Sequence, residues 1–438
     1  MSNLSYAIVR MLCQVLVSVP LGTRRGLFVL LWSLLSGRFL QSRGAVFPAL
    51  AACGLTDADV RRSGAALARG RYSPQALVSA WHALVREEGH WRQHRYEGVC
   101  PVACDLVGFY RPHLVQCGTK HYCSHAGKAL PALVYGISVR VGSVGATRLG
   151  IARLLLRQLP DETEADLQRR LIKETAADLT EEEALVADAG FALSEVRGRK
   201  CRYVVRMQQN SVARRNKLPD YCGKGRPPQR GEIVRPLVRK YGETTIKATS
   251  PDATARWKDG RHTLRAHLYN DLIAADEKPQ AEAPFRLIVI FDPRYKKPLV
   301  LATNLMVTAH ALWHLYKDRW PVEQLPLAAK QMLGAQRSFV FSEQARYRLP
   351  ELALLAGNVL SYLAATARPI ATGFWDRCCR PTCGRLRRAL ERLNFKDLPL
   401  PQEQLRQKAS ITSHLPKGIA AHRRHKAGLP ISHDALAP

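Results

Sequence analysis

The rhythm of apolar and polar positions changes near residue 100. Up to about residue 98 the chain reads as helical. Apolar residues recur at helical spacing over 65–68 and 76–85, and Thr56 and Ser73 stand where helix N-caps belong. From Pro101 onward, short β-branched runs bounded by Gly and Pro take over at 102–107 and 133–139 and predict strands. The charged amphipathic stretch 162–179 predicts a helix. Residues 184–187 read as a buried strand running out into Asp188 and Gly190, and 201–207 as the next strand. Strands alternating with a helix predict an α/β class.

Between residues 208 and 284 Arg, Lys, Gly, Pro and Thr dominate, with short alternating pieces such as 244–248, so a β-rich insertion is expected there. Apolar strand runs return at Phe285–Phe291 and Leu299–Thr303. Helical spacing follows at 307–319, at 327–332, and in a long apolar stretch over 343–367 that Pro350 could break. Asp292-Pro293-Arg294-Tyr295 reads as a hairpin turn. Beyond Pro369 the chain is basic and Pro-rich, with an amphipathic segment at 385–392. The expected organisation is a helical N-terminal domain (1–98), an α/β core in two parts (99–207 and 285–368), the insertion (208–284) and a basic C-terminal region (369–438).

The apolar stretches 7–21 and 26–35 are interrupted or bounded by Arg10, Pro20, Arg24 and Arg25. Neither reaches the roughly 20 residues of a spanning helix. Residues 11–21 match a signal-peptide core in size but lack a following small-residue cleavage site, so buried helices are expected and no membrane partner. Eleven cysteines, an odd number, argue against a complete disulfide framework and for a reducing cytoplasm.

Charge narrows the partners. The chain carries 66 Lys+Arg against 36 Asp+Glu, a net +30. With 46% hydrophobic residues it can still bury a core, which excludes a disordered basic tail. A folded protein of this charge calls for a polyanion such as DNA or RNA. No phosphate-binding or dinucleotide-binding glycine motif occurs. The Cys/His group Cys100, Cys104, Cys117, His121, Cys123 and His125 lacks a paired zinc spacing. Trp257, beside Lys258, is either a packing residue or a base-stacking one. His414, His422, His425 and His433 read as solvated tail residues.

The chemistry concentrates at Tyr316-Lys317-Asp318-Arg319-Trp320-Pro321-Val322-Glu323 and continues to Lys330. On an ideal helix Tyr316, Arg319, Glu323 and Lys330 fall within an arc of roughly 60°. Pro321 fits a first helical turn, but Pro326 removes an interior hydrogen bond. If a helix starts only near Pro321, Tyr316 and Arg319 belong to the element before it. This Y-(2)-R-(3)-E-(6)-K spacing resembles the signature of DDE transposases of the IS4-like insertion-sequence group.

The resemblance implies a ribonuclease-H-like catalytic core interrupted by the β-rich insertion. It also implies two further acids, for which Asp105, closing the first strand, and Asp188 are the candidates. Asp166, Asp178, Asp220 and Asp292 are other acids along this part of the chain. Asp105, Asp188 and Glu323 would then be the catalytic carboxylates and metal ligands, holding two Mg²⁺ ions with Mn²⁺ as a substitute. Tyr316, Arg319 and Lys330 would hold DNA phosphates. The implied partners are double-stranded DNA, as element terminal inverted repeats and target, and a second copy of the chain in a homodimer. The implied location is the cytoplasm, on a bacterial nucleoid. The alternative left open is a catalytically inactive relic or repressor that only binds DNA.

Overall fold

The computed structural model describes residues 2–405 apart from 112, 113, 115, 116, 224, 338, 341 and 381. The four tail histidines lie outside the described residues. Six helices come first: α1 (Ser2–Val15), α2 (Leu21–Leu35), α3 (Arg38–Gln41), α4 (Val46–Ala51), α5 (Asp57–Arg69) and α6 (Pro74–Glu88). Thr56 and Ser73 cap α5 and α6 by accepting from the amides of Asp59 and Ala76. Such a cap satisfies one of the amides a helix start leaves free. Gly26 lets α2 close on α5, since a Cβ there would meet that of Ala66 at 2.6 Å.

Strands follow: β1 (Arg92–Gln93), β2 (Cys100–Tyr110), β3 (Lys120–Cys123), β4 (Lys128–Val144) and β5 (Thr147–Arg157). Helix α7 (Glu164–Asp178), closed by a Thr163/Asp166 capping box, leads to β6 (Glu183–Ala187), α8 (Leu193–Arg197) and β7 (Tyr203–Arg206). Strand β2 runs parallel to β6 and β6 parallel to β7, while β4 is antiparallel to both β2 and β5. The local order is thus β5-β4-β2-β6-β7.

Next come β8 (Ala213–Arg215), β9 (Ile233–Val234), β10 (Arg239–Tyr241), β11 (Thr244–Ile246), β12 (Ala253–Asp259), β13 (His262–Ala274), β14 (Phe285–Phe291) and β15 (Leu299–Thr303). Strand β15 is antiparallel to β7, and β14, β13 and β8 continue the same sheet outward. Strands β13 to β15 are therefore hydrogen-bonded to the β2–β7 sheet, and the basic stretch 208–284 supplies some of its strands.

Five α-helices complete the described chain: α9 (Ala309–Lys317), α10 (Pro321–Leu327), α11 (Glu343–Thr366), α12 (Cys383–Glu391) and the short α13 (Gln402–Leu405). Helix α11 runs through Pro350 without a break, and the Tyr347 carbonyl beside the missing amide accepts from the buried Tyr135 hydroxyl at 2.8 Å. Its length and apolar character would suit a membrane, but most of it is buried against other elements. It is the central core helix.

The two-residue period of the strands divides the core. On one face Leu167, Leu171 and Ile172 of α7 pack against Cys104, Val134 and Leu185. On the other, α1, α2, α6, α10 and α11 cover Ala103, Val107, Ile137 and Ile151, and α9 covers Ala184, Val186, Ile288 and Leu301.

Candidate active site

The sheet register sets the first two acids. In the parallel pair β2/β6, Ala103 lies level with Val186, so Asp105 and Asp188 follow two positions later on both chains. By strand alternation each lies on the face covered by α9 and α10. Asp188 stands just past β6, where its Oδ1 accepts from the Gly190 amide at 2.8 Å. Asp105 Oδ1 accepts from the Leu106 amide at 2.9 Å. The expectation that Asp105 ends its strand is corrected. Strand β2 continues to Tyr110, because residues 106–110 keep pairing with β4 and bury Val107 and Phe109.

The single-helix face expected for Tyr316, Arg319, Glu323 and Lys330 does not form. Helix α9 ends at Lys317, the chain turns through Asp318–Trp320, and Pro321 opens α10 at a position where no amide is needed. After Pro326 the backbone widens into a π turn, Ala328–Met332, which carries Lys330. Tyr316 thus belongs to α9, Arg319 to the turn and Glu323 to the first turn of α10.

These residues still converge. Arg319 Nη2 lies 2.5 Å from Glu323 Oε1, and Nη1 lies 3.9 Å from Asp105 Oδ2. The guanidinium also lies 5.8 Å from the Tyr316 ring centre. The Lys330 ammonium sits 5.2 Å and 5.8 Å from the ring centres of Phe109 and Tyr110, four and five positions along β2 from Asp105.

The electrostatics tie the acids together. Burial pushes the Asp105 carboxyl up to about 7; Arg319 opposes this, while the negative charges of Asp188 and Glu323 add to it. Burial and the Arg111 guanidinium pull Lys330 down to about 8, with Asp105 acting the other way. Arg319 is held firmly protonated against its own burial by Tyr316, Glu323 and Asp105. One guanidinium therefore serves at least two of three mutually repelling carboxylates.

That donor set, hard carboxylate oxygens with a deficit of positive charge, fits a divalent cation such as Mg²⁺ in its chemistry. Among the described residues, no three His, Cys, Asp or Glu side chains come close enough together to enclose an ion. Glu323 instead spends an oxygen on Arg319.

The other acids are engaged elsewhere. Asp178 pairs with Arg153 at 2.6 Å and Arg140 at 3.2 Å, and Asp166 caps α7. Asp220 is exposed, 4.0 Å from Lys217. Asp292 closes β14, accepting from the amide and guanidinium of Arg294 in the expected turn. Trp257 points at α9, its ring 6.2 Å from that of Trp313, as a packing residue.

One residue escaped the sequence reading. Asp318 is wholly buried and receives His94 Nδ1 at 2.7 Å, the Tyr96 hydroxyl at 2.9 Å and Arg148 Nε at 3.2 Å. It fastens the turn that presents Arg319. An acid lodged between Lys317 and Arg319 was the only signal available.

The family model described as the transposase DDE domain matches residues 132–347, just under half of the chain. The matched stretch contains Asp188, Tyr316, Arg319, Glu323 and Lys330 and begins after Asp105. No curated protein matches the chain. Over that stretch the chain is similar to the DDE domain of transposases, and its mixed α/β sheet is consistent with that class.

Proposed function

We propose that the protein is a DNA transposase of the IS4-like group that binds the terminal repeats of its own element, cleaves there and joins the 3′ ends to target DNA. The observation that carries this reading is Arg319 set between Glu323 and Asp105, with Asp188 level with Asp105 on the neighbouring parallel strand. The order β5-β4-β2-β6-β7, with β2, β6 and β7 parallel, supports a ribonuclease-H-like core. The remaining strands 208–284 then form the insertion, and 1–98 and 369–438 the flanking regions. Two copies of the chain would work on two element ends, in the cytoplasm.

Asp105, Asp188 and Glu323 would hold two Mg²⁺ ions, or Mn²⁺ in their place. Bound there, the metal supplies stabilisation of the charge that develops on attacking and leaving phosphate oxygens. Arg319, released from Glu323, offers a bidentate donor to the DNA backbone, and the Lys330 ammonium a point charge beside the Phe109 and Tyr110 rings. The Tyr316 hydroxyl, buried without a hydrogen-bond partner, is a spare donor at the same place.

Asp105→Asn, Asp188→Asn and Glu323→Gln each keep side-chain shape and remove a negative oxygen donor. Each should bind element-end DNA as tightly as the parent and lose cleavage and strand transfer in Mg²⁺ or Mn²⁺ by a factor of 10³ or so, the order seen when electrostatic groups of an active site are removed. Gel-resolved cleavage of end DNA beside a binding isotherm separates the two properties. Cleavage surviving in Asp188→Asn would remove that residue from the site, and a parent that binds but never cuts would make the chain a DNA-binding protein only.

A further inference from the structure

On the outer face of α9, one and two turns before the candidate site, His310 and His314 stand four residues apart. Their Nε2 atoms lie 3.0 Å from each other. Residues at this spacing share one helix face. The rings are fixed mainly by aromatic walls. His314 stacks on Tyr96 at 5.1 Å and 13°, and meets Trp313 edge-on at 4.8 Å. His310 lies 5.7 Å from Trp257 and 6.3 Å from Trp313. His310 is exposed, so the meeting point of the two nitrogens opens to solvent.

Two imidazole nitrogens at this separation share either one proton or one metal ion. With metal–nitrogen distances of about 2.0–2.1 Å, a 3.0 Å spacing closes an angle of roughly 91–97° at the metal. That is the adjacent-ligand angle of octahedral and square-planar ions. Burial and the neighbouring His310 hold the His314 ring below its ordinary pKa, which leaves its lone pair free near neutrality. Asp259 and Asp318 contribute negative potential at His314, opposed by Lys317. Arg294, the nearby guanidinium, is already paired with Asp259 and Asp292.

We propose that His310 and His314 form a two-point chelate for an imidazole-preferring divalent transition ion of the Ni²⁺ or Cu²⁺ class, completed by water and separate from the carboxylate site. The ion clamps two turns of α9 to each other. Mg²⁺, which prefers oxygen, does not compete for it.

The test uses the full chain and Ni²⁺ as the probe, in excess Mg²⁺. Calorimetric titration should find one equivalent in the parent and in His90→Ala, an exposed histidine at the end of α6. His310→Ala and His314→Gln should bind that equivalent at least about tenfold more weakly, as expected when a chelate is cut to one ligand. Binding to the folded state also raises the melting temperature by mass action, so Ni²⁺ should raise it in the parent and not in His310→Ala. Equal binding and equal thermal shifts in the parent and His310→Ala would overturn the proposal and leave the pair as a histidine–histidine hydrogen bond. Neither readout depends on DNA cleavage.

Discussion

Tyr316 has a hydroxyl buried without a hydrogen-bond partner, next to a guanidinium that touches Glu323 and reaches toward Asp105. Removing an unbonded buried hydroxyl relieves a desolvation cost, so Tyr316→Phe should melt within about 0.5 kcal/mol of the parent, or slightly above it. The same variant should hold cleaved element ends about fivefold less tightly, the equivalent of one neutral hydrogen bond of roughly 1 kcal/mol. Parallel melting curves and binding isotherms check both halves. A large loss of stability would mean that the phenol is a packing residue and not a donor kept for DNA. Tyr316, Arg319, Glu323 and Lys330 were legible in the sequence because their spacing resembles a transposase signature. Asp318 was not legible, because its role depends on His94, Tyr96 and Arg148, which come from elements remote along the chain.

Among elements, α11 is the one on which the rest are assembled, and Asn358 is its main polar fastening. The side chain is fully buried, accepts from Trp81 Nε1 and the Ala152 amide at 2.9 Å each, and donates to the Gly150 carbonyl at 2.7 Å. It thereby joins α11 to α6 and β5. Asn358→Leu keeps the volume but strands two donors and an acceptor, and should cost about 2–5 kcal/mol in a denaturant titration. Trp81→Phe, which removes only one of those partners, should cost less.

Element type was readable from period. Strands β14 and β15 fall on the apolar runs that announce them, and the caps at Thr56 and Ser73 work as their residue types suggest. The segment around Glu323 was less readable, since the effect of two prolines five residues apart depends on what packs against the backbone. Here the chain answers Pro321 with a new helix start and Pro326 with a π turn.

For the whole molecule, His82 makes stability depend on pH. It is buried in α6, and burial, aided by Arg140, Arg153 and Arg86 and opposed by Asp178, lowers its pKa from 6.5 to about 4. Above pH 6.5 both folded and unfolded chains hold it neutral, and the full stability is present. As the pH falls below 6.5 the unfolded chain binds a proton that the folded chain refuses, so stability declines until about pH 4. The loss should reach about 3 kcal/mol and shrink in His82→Leu, measured as denaturant midpoints across that window. The net charge of +30 acts at the same scale. Affinity for DNA should fall about 10³-fold or more between 50 and 200 mM salt, as several phosphate contacts require. A flat salt response would remove the electrostatic basis of DNA binding.

The sequence by itself determined the alternation of helices and strands, the basic character of the chain and the chemical type of the candidate groups. Periodicity, capping and charge are local or additive properties, so they survive in one dimension. Only the tertiary structure decided that Asp105 and Asp188 stand level across a parallel pair of strands, and that the basic stretch lends strands to the main sheet. It also decided that Arg319 stands between Glu323 and Asp105. Those outcomes depend on register and on burial by α9, α10 and α11, which come from distant segments, and burial is what raises the Asp105 carboxyl, with the charges of Asp188 and Glu323 adding to it.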